Sequence, residues 1–248
     1  MNIAFLAADW NAPGAVRAGC TLREGGSSKP PYASLNLGDH VGDEPDAVSD
    51  NRALLRAALP LPSEPLWLQQ VHGTVVLDAD AAGSAGPADA AVTRQGNRVL
   101  AILVADCMPV LLASADGAVL AAAHAGWRGL ATGVLEATVT AMKTEPRDIC
   151  AWLGPAIGAE HFEVGEEVRA AFVAHDARAD AAFTANARGR WQCDLKLLAR
   201  QRLAALGIAH VAATELCTYT DTANCYSYRR DGRTGRMAAL LWRAGTGG

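Results

Sequence analysis

The segment 99–130, VLAILVADCMPVLLASADGAVLAAAHAGWRGL, constrains this chain more than any other. Continuous apolar runs bounded by turn signals read as buried strands. Two are evident, VLAILV and GAVLAAA, with Asp116-Gly117 as a turn between them. The first runs into Asp106-Cys107, and the second into His124 and then Gly126-Trp127-Arg128-Gly129. Packing does not require a thiol, an imidazole and a guanidinium at the ends of core strands. These residues are therefore the first candidates for chemistry.

The rest of the chain organises around that pair. A strand-like start at 14–38 leads into a Gly/Ser/Pro-rich loop of a length that is more often functional than idle. The spacing predicts a helix over 45–58, ended by Pro60, then two short strands within 66–79 that flank Gln69–Gly73. Residues 81–90 are small-residue turn material. Helical spacing returns over 128–143, 164–175 and 194–206, the last opened by Asp194 as an N-cap. CAWLGPAIG (150–158) reads as a buried strand broken at Gly154-Pro155, and the end carries strand signals around a basic loop, 229–236. With no repeat and no linker, one domain of mixed α and β over 1–248 is the economical expectation.

Composition excludes several classes. Of the 248 residues 50% are apolar and 19% are charged, as in ordinary globular proteins. The net charge of −4 weighs against nonspecific binding to nucleic acid or anionic membranes. No apolar run approaches the roughly 20 residues that span a bilayer. The start, MNIAFLAADW, lacks a basic leader and meets Asp9 early, so the expected location is cytoplasmic. Six cysteines occur without a CxxC pair, which points away from zinc ribbons and thioredoxin-type sites. Most read as buried small apolar residues, and only Cys107 has neighbours that suggest more.

His72, Cys107 and His124 each lie at or just beyond the end of an apolar strand. Two imidazoles and a thiolate form a borderline-soft donor set that suits zinc, with a fourth position left for water or substrate. Zinc in such a site lowers the pKa of its water towards about 7. The same atoms allow a metal-free reading, with Cys107 as nucleophile, His124 or His72 as its base and Asp106 orienting the imidazole. Arg128 offers a planar fork of donors for phosphate or carboxylate. Arg229, Arg230, Arg233 and Arg236, beside Tyr226 and Tyr228, could hold a nucleotide-like ligand by stacking and ion pairing, or form a solvated hairpin. Asn36 and Arg52 could be site residues or turn and surface residues. His40, His161, His175 and His210 receive no role.

The chain resembles the YfiH or laccase-domain family, once called multicopper polyphenol oxidases. The resemblance rests on TLREGGSSKPPYASLNLGDHVGD (21–43), Asn51-Arg52, QQVHG (69–73), ADCMPVLL (105–112), HAGWRGL (124–130), LGPAIG (153–158) and YSYRRDGRTGRMAALLW (226–242). It implies an α+β fold, a single layered α/β/β/α domain with mixed β-sheets. It places a zinc ion on His72, Cys107 and His124, with copper the less favoured metal. It further implies phosphorolysis of purine nucleosides (adenosine, inosine, guanosine, methylthioadenosine) with adenosine deamination in the same pocket. The substrate residues to expect are Asn36, Arg52, Gln70, Asp106, Arg128 and Arg229. The expected partners are a nucleoside and phosphate, bound by a monomer or small homo-oligomer. The older laccase label fails on ligand arithmetic: blue-copper and three-copper sites together need more than six histidines in mostly unsuitable surroundings. A single adventitious copper could still give weak oxidation.

Overall fold

The computed structural model describes residues 3–81 and 86–244. A five-stranded sheet runs, in spatial order, Phe5–Ala7, Val16–Thr21, Met237–Arg243, Val99–Val104 and Pro65–Trp67. A six-stranded sheet runs His210–Ala213, Ile149–Leu153, Met108–Ser114, Leu120–Ala125, Ala90–Thr93 and Val76–Asp78. Both are mixed, with parallel pairing of Pro65–Trp67 on Val99–Val104, of Val76–Asp78 on Ala90–Thr93 and of His210–Ala213 on Ile149–Leu153. A third sheet of three short strands joins Glu163–Val164, Trp191–Cys193 and Phe183–Ala185.

The period of two along Val99–Val104 explains the layering. Leu100, Ile102 and Val104 point inward, where they meet Leu111, Ala113, Leu120, Ala122 and Trp152 of the larger sheet. Val99, Ala101 and Leu103 point the other way and are covered by Leu55 of the helix Pro45–Ala58 and by Leu35 and Leu37 of the preceding loop. The far face of the larger sheet is closed by Leu130, Leu135, Val139, Phe172, Leu198 and Leu203, all from helices or helical turns. The expected α/β/β/α order is therefore the observed one.

What reads as two strands in the opening segment is three. The chain also reverses at Asp106-Cys107, so Met108–Ser114 becomes a strand of the second sheet, between Leu120–Ala125 and Ile149–Leu153. The helix expected over 128–143 is two, Trp127–Thr132 and Val134–Met142, because Gly133 takes φ 103° between them. Asp194 caps the helix Leu195–Ala205 as expected, accepting the Leu197 amide at 2.9 Å. The basic 229–236 stretch holds the short helix Tyr228–Asp231 before the last strand.

Candidate metal centre and active site

Strand ends converge where the two sheets meet. Cys107 follows Asp106, whose φ of 94° turns the chain from one sheet into the other. His124 is delivered by the strand Leu120–Ala125 and is buried. His72 sits on the loop after Pro65–Trp67 and takes a left-handed φ of 61°, uncommon for a residue with a Cβ. The donor atoms of His72, Cys107 and His124 all lie within 4.8 Å of one another, and Sγ of Cys107 is 3.7 Å from Nε2 of His72. Ordinary zinc–sulfur and zinc–nitrogen bond lengths at a tetrahedral angle separate such atoms by roughly 3.6 Å. The donors thus fit a zinc-sized ion in both chemistry and spacing.

One carboxylate, absent from the expected site residues, organises this centre. Asp89 is fully buried and accepts four N–H groups. Its Oδ1 takes Nδ1–H of His124 at 2.8 Å and the His72 amide at 2.8 Å. Its Oδ2 takes the Gly73 amide at 2.6 Å and the Val71 amide at 3.1 Å. Occupying Nδ1 of His124 leaves Nε2 as the ligand atom, the usual carboxylate–histidine arrangement of metal sites. The three amide bonds also offset the cost of the His72 backbone, of order 1–3 kcal/mol. Burial raises the Asp89 pKa, but the bonds from His124, Gly73 and Val71 outweigh it and hold the carboxyl below its usual range.

The two inner ligands polarise each other. Burial pushes the Cys107 thiol up, yet the imidazoles of His124 and His72 bring it down to about 6. Burial lowers the His124 pKa, yet Cys107 and Asp89 raise it to about 9. At neutral pH the metal-free centre is therefore a thiolate beside an imidazolium. A metal must displace the His124 proton, so apparent affinity should rise about tenfold per pH unit from 7 to about 9 and level off above. Below about 6, where the thiol also competes, the dependence should steepen towards two decades per unit. Titration with a chelator-buffered metal at fixed ionic strength checks this sign.

The centre forms one wall of a cavity of about 470 Å³, within the range that takes a nucleoside-sized ligand. Of the expected residues, Gln70, Asp106, Arg128 and Arg229 also line it. Gln70 is spent on the backbone, donating to Leu103 O at 2.9 Å and accepting from Leu103 N at 2.8 Å. Asp106 is committed as well: its oxygens accept the Thr218 hydroxyl and the Arg229 amide, both at 2.6 Å. Arg229 reaches the Glu163 carbonyl at 3.0 Å and lies over Phe162, while the exposed Arg128 lies over its neighbour Trp127. The structure does not bring Asn36 or Arg52 to the cavity. Asn36 is fully buried in hydrogen bonds to Gly38, Asp43 and the Arg236 amide. Arg52 grips the Leu37 carbonyl and stacks on Trp67. Three polar lining residues lie outside the metal and substrate sets that the resemblance implies: His40, Tyr228 and Arg236. The 229–236 cluster pointed towards the last two; nothing local marked His40.

Gly126 supplies a sharp test of the geometry. Its φ of −66° suits any residue, but a Cβ there would lie 2.9 Å from His72 Cδ2 and 3.0 Å from Cys107 Sγ. Gly126→Ala should leave the thermal midpoint of the metal-free protein within a few degrees and weaken metal binding at least about tenfold, the lower end of what disturbed metal-site partners cost. Calorimetric metal titration measures both sides of that statement.

The layered fold and the His/Cys/His donor set at its sheet junction define an α+β protein with a site that can hold a metal ion. Residues 17–244 match the family described as multi-copper polyphenol oxidoreductase laccase, and the chain belongs to that family. It is 50% identical over 239 residues to a protein of Escherichia coli K12 called purine nucleoside phosphorylase YfiH, covering 96% of this chain and 98% of that one. A purine nucleoside phosphorylase of Pseudomonas aeruginosa is 50% identical over 240 residues, with the same coverages. Among solved structures, a Neisseria meningitidis protein superposes with TM-score 0.93 at 47% identity, over 97% of this chain and 99% of that one. The protein YlmD of Geobacillus stearothermophilus gives TM-score 0.87 at 33% identity, over 93% of each chain.

Proposed function

We propose that this chain is a zinc-dependent purine nucleoside phosphorylase acting on adenosine, inosine, guanosine and methylthioadenosine, with adenosine deamination in the same cavity. The observation that carries the reading is a single cavity with the His/Cys/His centre on one wall and Arg128, Arg229 and Arg236 among its other lining residues. The names of the relatives support it. Among the described lining residues Asp106 is the only carboxylate, and both its oxygens are occupied by the Thr218 hydroxyl and the Arg229 amide. The arginine side chains therefore keep their charge for an anion even where they also bond backbone carbonyls.

Bound zinc would supply Lewis acidity and an acidified water at His72, Cys107 and His124. The chain's own residues do the rest. Arg128 and Arg229 hold phosphate beside the ribose, with the Asp106 carboxylate fixing the Arg229 backbone. Ile157, Phe162 and Tyr228 offer flat and apolar surface to the base. Cleavage at C1′ builds oxocarbenium character, so positioning and fixed charge carry most of the rate. A cytoplasmic site of action belongs to this reading and accords with six unpaired cysteines. No helix among the described residues is long and apolar enough to cross a membrane.

A screen of zinc-loaded protein over purine nucleosides, with and without phosphate, tests the proposal. Free base formed only with phosphate is the expected result, and inosine from adenosine reports deamination. Absence of both products overturns it. One observation favours a second reading, a metal-free cysteine hydrolase: Cys107, His124 and Asp89 stand in the order of nucleophile, base and orienting carboxylate. Turnover that survives metal removal would select that reading, and phenol oxidation with one bound copper would select the older family label.

A further inference from the structure

The lining of the cavity leaves one question that the proposed phosphorolysis raises. When the bond between the base and C1′ breaks, its electron pair stays on the purine, which leaves far more readily if a ring nitrogen is protonated as it departs. The residues that would hold the metal are committed to the centre, and Asp106 has both oxygens occupied by Thr218 and the Arg229 amide. Among the described lining residues His40 is the one histidine outside the His72/Cys107/His124 centre, and histidine is the side chain suited to proton exchange near neutrality.

The loop around His40 is built to present it. On one side Asn36 donates to Gly38 O and accepts from Gly38 N, both at 3.0 Å, and Arg52 donates twice to Leu37 O, at 3.1 and 2.9 Å. On the other side the Tyr32 hydroxyl donates to Val41 O at 2.8 Å, Arg233 to Gly42 O at 3.2 Å, and Asn36 to Asp43 at 2.9 Å. The Asn36 oxygen also accepts the Arg236 amide at 2.9 Å, which ties the loop to another lining residue. Asp39 and His40 are the two residues left between these clamps. Beside the His40 ring stands Asp39 at 3.5 Å, which Arg52 faces from its far side at 3.4 Å.

We propose that His40 is the proton donor to the departing purine, an inference that rests on the phosphorolysis reading. The bond from the purine nitrogen to C1′ breaks, a phosphate oxygen forms the new bond to C1′, and the His40 imidazolium passes its proton to the base. Hydrogen phosphate loses its proton on becoming the sugar ester, and His40 regains one from solvent, so the balance closes. Asn36 and Arg52, which do not reach the cavity, hold the loop that carries His40.

The test compares inosine with 7-methylinosine, whose quaternised base departs without a proton, in zinc-loaded wild type and in His40→Gln and His40→Ala. The expected result is a fall in kcat of about 100-fold or more on inosine and of less than about tenfold on 7-methylinosine, in line with the usual contribution of a positioned acid. A loss of equal size on both substrates, or no loss on inosine, overturns the role of His40 while leaving phosphorolysis intact. A wild type that cleaves neither nucleoside in the presence of phosphate overturns the reaction and His40's part in it together. Equal zinc content and thermal midpoints across the three proteins exclude a folding effect.

Discussion

Cys107→Ala is expected to abolish metal binding at stoichiometric concentrations and to lower phosphorolytic kcat/KM by more than 100-fold. The reason lies in the donor set. Cys107 is the only anionic and only sulfur donor of the three, and the remaining histidines are a pair that any surface can offer. Loss of an outer hydrogen-bond partner of a metal ligand typically costs 10- to 100-fold in affinity or activity. Loss of a ligand itself should exceed that. The fold should survive, because Cys107 is only half-buried and lies outside the three apolar clusters. Thermal melting with and without zinc separates the two effects. Wild type should melt higher with zinc, by the amount that preferential binding to the native state dictates, while the variant melts at one temperature in both conditions. A variant that still gains thermal stability from zinc would place the metal elsewhere.

Asp89→Ala should damage both the site and the fold. Removing this carboxylate leaves three backbone amides and Nδ1–H of His124 without acceptors in a buried place. Breaking one side of a buried charged hydrogen-bond network costs about 3–5 kcal/mol, so the metal-free protein itself should be destabilised by that order. His72 also loses the bonds that hold its left-handed backbone, and the His124 ring is free to turn. Metal affinity should therefore fall by about 100-fold. Asp89→Asn distinguishes geometry from bulk. Its single oxygen can serve either His124 and His72 or Gly73 and Val71, while its NH2 group meets donors on the other side. An intermediate loss in both denaturant stability and metal affinity is the expected outcome. Full retention of both in Asp89→Ala would show that His72 and His124 hold their places unaided.

Much of this site was legible from strand ends. The apolar runs around 99–125 announced core strands, and a core strand delivers its terminal residues to a fixed place, which is why Cys107 and His124 stood out. His72 was marked by its position between two short strand signals. Their convergence was not legible from spacing, because it depends on two sheets packing face to face; the family resemblance supplied it. Asp89 stayed hidden within small-residue turn material, since its four partners come from residues 16 to 35 positions away. Asn36 and Arg52 stand out in the sequence, but their placement does not. Both act on the 36–43 loop, Asn36 also accepts the Arg236 amide, and a bond to a residue 200 positions along the chain leaves no local pattern. His40 is not legible in the sequence, because polar surroundings look alike whether they face open solvent or a cavity. The long helix expected over 128–143 failed at one residue, Gly133, whose positive φ a spacing rule does not register.

If the His72, Cys107 and His124 centre serves phosphate-dependent cleavage of a purine nucleoside, inorganic phosphate must end as a sugar ester. Phosphorus-31 NMR of a reaction containing inosine, inorganic phosphate and protein with one equivalent of zinc tests it most directly. The phosphate signal should be replaced by that of a sugar 1-phosphate ester in step with hypoxanthine release, and chelation of zinc should stop both. Hypoxanthine released while the phosphate signal stays unchanged, or no turnover with zinc bound, would contradict it.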